Sequence, residues 1–201
     1  TGQLLNHPLK LVALPADTTN LKNSFINLEN AFDAFENRFG PYRWSRVGFV
    51  LVPFNRGAME HATNIAYPRA FANGSTTYEA PLMAHELAHH WFGDLATCRT
   101  AEDMWLNEGW ASYCSNIFTE TVYGRNAYRT DVLDNHEDLV HNVHLQEGGY
   151  RAVSGVPHQY TYGNHVYNKG ADVAHTLRGY MGDTAFFAAV RSGQGLGALV
   201  L

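Results

Sequence analysis

His85-Glu86-Leu87-Ala88-His89 sets two imidazoles four residues apart with a carboxylate between them. On an α-helix, positions i and i+4 project from nearly the same side, so both rings reach one metal ion while Glu86 stands beside it. With 11 histidines in 201 residues, a polar patch on a buried helix is the alternative to be displaced. Glu108 displaces it. In Trp105-Leu106-Asn107-Glu108-Gly109-Trp110-Ala111 it follows His89 after eighteen intervening residues, enough to end one helix, turn, and offer a carboxylate from a second. Two nitrogens and one oxygen leave zinc an open fourth position, which structural sites fill with Cys or His and catalytic sites keep for water. One Zn2+ per chain on His85, His89 and Glu108 is the expected cofactor. It would bring the pKa of its water toward roughly 7 and polarise a carbonyl. Glu86 would take the water's proton as general base and pass it to a leaving amine. The chemistry is amide hydrolysis, most naturally of a peptide bond.

These residues need elements to hold them. Leu9 to Leu14 reads as a short strand ended by Pro15. From Thr18 and Thr19, plausible N-caps, the apolar set Leu21, Phe25, Leu28, Phe32, Phe35 and Phe39 recurs at helical spacing up to Gly40-Pro41. A phenylalanine stripe at that spacing is core. Val47 to Val52 is apolar on both faces and predicts a strand covered on both sides. Asn55-Arg56-Gly57 turns the chain into a second strand, from Ala58 through Ile65 and reaching Tyr67-Pro68, expected as its antiparallel neighbour. After a loop at residues 72–77 comes the metal-binding helix. Its start is read two ways, from a Thr76/Glu79 capping box or from Pro81 in first position, and its end from Gly93 as a left-handed cap. Further helices are predicted from Leu106 to Tyr123, from Asn126 to Val143, and from Asn164 to Met181, with a short last one starting at Asp183. The third should bury Val132, Leu133, His136, Leu139, Val140 and Val143. His136, His141 and His144 lie near one another on it, but helical histidines without a carboxylate are usually solvated or core. Residues 145–163 read as a cleft-lining loop, and Ser192 to Leu201 lacks periodicity.

Composition fixes the class. With 45% hydrophobic and 13% aromatic residues, the chain can bury one sizeable core. A net charge of -5 gives no footprint for nucleic acid. The longest apolar stretch, Val47 to Phe54, is too short to cross a bilayer, and no leader pattern opens the chain. The start at Thr1 reads as a processed or excised segment. Cys98 and Cys114 allow one disulfide or two thiols, so the compartment stays open. The expected fold is α+β, mainly α. It is one catalytic domain, with a mixed helix/sheet lobe at residues 1–72, a mainly helical lobe at 73–201, and the active site in the cleft between.

Three ordered blocks carry a resemblance: Gly57-Ala58-Met59-Glu60-His61, His85 to Asp94, and Trp105 to Ala111. A fourth is Val166-Tyr167-Asn168-Lys169-Gly170. Together they resemble the zinc aminopeptidases related to aminopeptidase N and leukotriene hydrolase, the gluzincins with a thermolysin-like catalytic domain. The resemblance implies that Glu60, otherwise read as an exposed strand residue, binds the free α-amino group of a peptide. It implies that Tyr167 donates its hydroxyl to the oxyanion, with Tyr162 assisting. Gly57 and Ala58 would let substrate backbone lie along the strand. It also implies flanking domains in a longer parent chain. His61 stands where the family usually has Asn, and an imidazole does not reproduce an amide's paired donor and acceptor.

The expected function is a zinc metallopeptidase of aminopeptidase type acting on peptides with a free N-terminus. An endopeptidase or other zinc hydrolase is the nearer alternative. A non-catalytic zinc-stabilised binding module is the alternative from another class, which the presence of Glu86 and Tyr167 disfavours.

Overall fold

The computed structural model describes residues 2–4, 6–76 and 80–195. A four-stranded sheet runs in the order β1 (Gly2–Leu4), β2 (His7–Val12), β3 (Val47–Val52), β4 (Ile65–Pro68). β1 lies antiparallel to β2, whereas β2, β3 and β4 are parallel, with Leu9 opposite Val47 and Phe49 opposite Ile65. The antiparallel hairpin expected after β3 does not form. Twelve residues, 53–64, separate β3 from β4, the length a crossover between parallel neighbours requires. Within that crossover only Met59 pairs antiparallel, as a single bridge to Ala66 on the free side of β4.

The phenylalanine stripe belongs to two helices. α1 (Thr18–Ser24) stops where Phe25 and Asn27 leave helical geometry, and α2 (Leu28–Phe39) starts after them. The stripe is nonetheless continuous in the core: Leu21, Phe25, Leu28, Phe32, Phe35 and Phe39 are all buried. Phe25 packs edge-on against Phe49 of β3 and Tyr67 of β4, and Phe35 against Trp91, so these rings tie the break between the helices to the sheet and α2 to the segment after the histidine motif.

The rest is helical: α3 (Ala80–Ala88), α4 (Glu108–Tyr123), α5 (Arg125–Asp138), a π-helical turn at Leu139–Val143 leading into α6 (His144–Gln146), α7 (Tyr167–Met181) and α8 (Asp183–Gly195). The fold is thus α+β and mainly α. Pro81 is the second residue of α3, while the Thr76/Glu79 capping box involves Glu79, outside the described residues. Ser192 to Gly195, expected to be irregular, extend α8, and residues 196–201 lie outside the description. On the α5 to α6 run, Tyr128 and Val143 are buried, but Leu133, His136 and Val140 are exposed, against expectation. The π turn adds a residue to one turn and shifts the phase of the buried face from Leu139 onward, which bears on Val140; Leu133, which precedes it, is about 100° around the helix from Val132. Cys98 and Cys114 are both free thiols. No described helix is long and apolar enough to cross a membrane.

α4 and α7 cross at Gly109 and Gly170. A Cβ on Gly109 would sit 2.7 Å from the Gly170 Cα and 3.0 Å from the Val166 carbonyl oxygen, so backbone touches backbone. The crossing is one residue from Glu108 and three from Tyr167, and it sets the distance between them. At an open helical site Gly→Ala would gain about 1 kcal/mol. Here overpacking against backbone, about 1–3 kcal/mol, reverses the sign. Gly109→Ala is therefore expected to lower the melting temperature by roughly 5 °C, read by thermal denaturation. An unchanged or higher midpoint would contradict the close crossing.

Candidate active site

α3 buries Met83, Ala84, Leu87 and Ala88, which leaves His85 and Glu86 directed by a packed helix. His89 follows the last α3 residue, yet its N–H still donates to the His85 carbonyl at 3.3 Å, so the one-turn spacing of the two rings is kept. The expected left-handed cap at Gly93 is not what ends the helix. α3 stops at Ala88, and Gly93, at φ 137°, donates to the Ala96 carbonyl while Asp94 N–H returns to the His89 carbonyl. That loop has a use. The Phe92 carbonyl lies 2.9 Å from His89 Nδ1, which keeps the proton on Nδ1 and turns the Nε2 lone pair into the site.

Glu108 is the first residue of α4. The preceding Asn107 accepts the Cys98 N–H at 2.9 Å and donates to Thr97 Oγ1 at 3.0 Å, which locks the return segment to the start of the helix. His85 Nε2 and His89 Nε2 are each 3.2 Å from Glu108 Oε2 and 3.1 Å from one another. A tetrahedron with metal–ligand distances of about 2.0–2.1 Å has edges of about 3.3 Å, so this triangle is the size of one face of a zinc site. Burial alone would raise the Glu108 carboxyl, but hydrogen bonding to His85 and His89 overcomes it and holds the pKa at about 2. The donor set is one anion and two imidazoles, and it fits zinc.

Glu86 is 4% exposed, and its Oε2 is buried with no hydrogen-bond partner among the described residues. Burial pushes its pKa up to about 8, and the nearby Glu60 and Glu108 carboxylates act in the same direction. Without a cation the raised pKa keeps this carboxyl mostly protonated at neutral pH; a cation on the adjacent metal face would favour its ionised form, which can then accept a proton. The bridge of Met59 to Ala66, with both N–H···O distances at 2.9 Å, brings in Glu60, whose carboxylate, the Glu86 carboxylate and a His89 ring nitrogen all lie within 4.8 Å of one another. Like charges gathered this closely call for cations between them.

Tyr167, the first residue of α7, stacks its ring on His85 with centroids 6.0 Å apart. Burial and the Glu108 carboxylate push its phenol above the ordinary value, so it remains a donor. Gly57, Ala58 and Glu60 form one wall of a cavity of about 440 Å³; the metal face, Glu86 and Tyr167 form the other. Tyr162 is 70% exposed and lies outside that lining, and none of residues 145–163 reaches it. His61 is exposed and belongs to no metal-ligand group among the described residues. His136 pairs with Asp172 at 3.1 Å, and His144 stacks on Tyr150. Sequence reading missed Ser112 and Ser115, which line the cavity; they follow Glu108 by four and seven residues, on the same helical face. Ser115 also donates to the Pro81 carbonyl at 2.9 Å and so ties α4 to the first turn of α3.

Known proteins resemble this chain in sequence and in fold. Aminopeptidase M1-B of Oryza sativa subsp. japonica is 30% identical over 166 residues, which is 76% of this chain and 19% of that protein. Leucyl aminopeptidase of Saccharolobus solfataricus is 29% identical over 73% of this chain and 20% of its own length. This chain thus spans about a fifth of the curated relatives it matches. Among solved structures, the M1 zinc metallopeptidase of Deinococcus radiodurans aligns with a TM-score of 0.77 at 26% identity, over 96% of this chain and 42% of that one. Yeast LTA4 hydrolase in complex with bestatin aligns with a TM-score of 0.79 at 20% identity, over 92% of this chain and 31% of that one, a likeness of fold. Residues 24–192 match the peptidase family M1 domain, and the chain belongs to that family.

Proposed function

We propose that this chain is the catalytic domain of a zinc-dependent aminopeptidase that removes N-terminal residues from peptides. The observation that carries the reading is the position of Glu60. A carboxylate within 4.8 Å of both Glu86 and a ligand histidine gives the cavity a fixed anionic end one residue's length from the reacting atoms. A peptide whose α-ammonium pairs with Glu60 has its first amide over the metal face, which makes the register that of an exopeptidase.

His85, His89 and Glu108 would hold the ion, and zinc bound there would supply a Lewis acid to polarise the scissile carbonyl and acidify water. Glu86 accepts a proton at its buried carboxylate from the attacking water and returns it to the leaving nitrogen. The Tyr167 hydroxyl, kept protonated by its burial, donates to the oxygen on which negative charge develops. Gly57 and Ala58 present open backbone along which the substrate lies. Residues before 73 carry the Glu60 wall and residues after 80 the metal wall, in keeping with a two-lobed domain and a cleft between.

The test compares a free amino-acid fluorogenic amide with an internally quenched, N-acetylated peptide. Turnover of the first and not of the second is expected; cleavage of the blocked peptide would move the assignment to an endopeptidase. Glu60→Ala should lower kcat/KM for the free-amine substrate by about 30- to 100-fold, largely through KM, as loss of a charged hydrogen bond worth about 2–3 kcal/mol does. A variant with wild-type KM would remove Glu60 from the binding of the ammonium.

A further inference from the structure

We propose that Glu147, half-buried, and His165, buried, form a clasp that positions Tyr167, and that neither residue touches substrate. The inference rests on the role given to Tyr167 above. His165 is 2% exposed and sits two residues before that tyrosine. Its Nδ1 lies 2.6 Å from Glu147 Oε2, and its Nε2 accepts the Arg151 N–H at 3.3 Å. Because Nε2 is an acceptor, Nδ1 carries the proton and donates it to Glu147. The other oxygen of Glu147 accepts the Asn164 N–H at 2.5 Å. One carboxylate therefore grips two consecutive residues of the segment that opens α7.

That segment determines where Tyr167 stands. The Val166 and Tyr167 amides both donate to the Gly163 carbonyl, and the Asn168 and Lys169 amides to the Asn164 carbonyl, so residues 163–166 are the template of the helix's first turn. A carboxylate at this end also complements the helix dipole. The clasp is anchored from behind. The Arg151 guanidinium donates to the Glu147 carbonyl at 2.6 Å and stacks 3.6 Å from the Tyr160 ring, and Lys169 Nζ donates to the Arg151 carbonyl. Gly163 is small because of it: a Cβ there would come within 2.5 Å of Glu147 Oε1. None of Glu147, Arg151 and His165 lines the cavity.

A hydrogen bond made only in the transition state depends steeply on placement, and an error of about 1 Å costs about 100-fold. Glu147→Ala and Gly163→Ala are the two variants; the second leaves every bonding group present and displaces the carboxylate, so it carries the test if the first fails to fold. Each is expected to lower kcat by about 10- to 100-fold at unchanged KM and zinc content. Amide exchange at Tyr167 to Lys169 should accelerate. In a Tyr167→Phe background the same substitutions should change kcat by less than about twofold, because they act through the hydroxyl already removed. A full, multiplicative loss in that background, or wild-type kcat in a folded variant, overturns the clasp. If Tyr167→Phe itself has wild-type activity, the role of Tyr167 falls with it; a crippled Tyr167→Phe beside silent clasp variants sinks the clasp alone.

Discussion

Glu86→Gln is expected to bind zinc as the parent chain does and to turn over peptide about 10²- to 10⁴-fold more slowly. The separation of the two properties follows from geometry. Glutamine has the shape of glutamate, α3 is held by Met83, Ala84, Leu87 and Ala88 rather than by Glu86, and the three ligand atoms come from His85, His89 and Glu108. The fold has little to lose, since Glu86 Oε2 has no hydrogen-bond partner among the described residues and burial already works against its charge. The reaction has much to lose: an amide cannot take a proton at that position, and among the described residues the nearest other carboxylates, Glu60 and Glu108, are given to the ammonium and to the ion. Metal content by atomic emission, alongside kcat on a free-amine substrate, decides the matter. Turnover at the parent's rate would remove Glu86 from the chemistry.

What the sequence disclosed depended on how local each contact is. His85 and His89 were legible because one helical turn brings them together whatever the rest of the chain does, and Glu108 because eighteen residues suffice for a return. Glu60 and Tyr167 carry no such local sign. Glu60 reaches the site through the Met59 to Ala66 bridge at the sheet edge, and Tyr167 through the Gly109 to Gly170 crossing; both are long-range. Only resemblance to a family pointed to them. The sheet was misread for a related reason: Ala58 to Asn64 has strand-like composition, but parallel pairing of β3 with β4 turns it into a crossover. On the helices, periodicity located the buried stripe of α1 and α2 even across their break, because the residues at the break keep the phase of the core face. It failed beyond Tyr128: Leu133 lies about 100° around α5 from Val132 and so off the packed face, and the π turn after Asp138 resets the phase where Val140 comes to the surface.

Removal of Glu108 should have the opposite signature to loss of Glu86. Glu108→Ala is expected to weaken zinc binding by well over the roughly 10- to 100-fold that follows loss of an outer partner, and to abolish turnover at ordinary zinc concentrations. The carboxylate is the only anion in the triangle, and it is held ionised at neutral pH by the two imidazoles it faces. Without it the ion keeps two neutral ligands 3.1 Å apart, and the charge it meets in the cavity comes from Glu86 and Glu60, which stand on the His89 side. Glu108→Asp should fall between. The start of α4 is pinned by Asn107 to Cys98 and Thr97, so a side chain one carbon shorter cannot follow the ion, and ligand distances tolerate only about 0.2 Å. Competition with a chromogenic chelator measures the affinity directly. Stoichiometric zinc with parent affinity in Glu108→Ala would mean that the ion is held elsewhere, whereas loss of metal there and its retention in Glu86→Gln would separate the residue that holds the ion from the one that moves the proton.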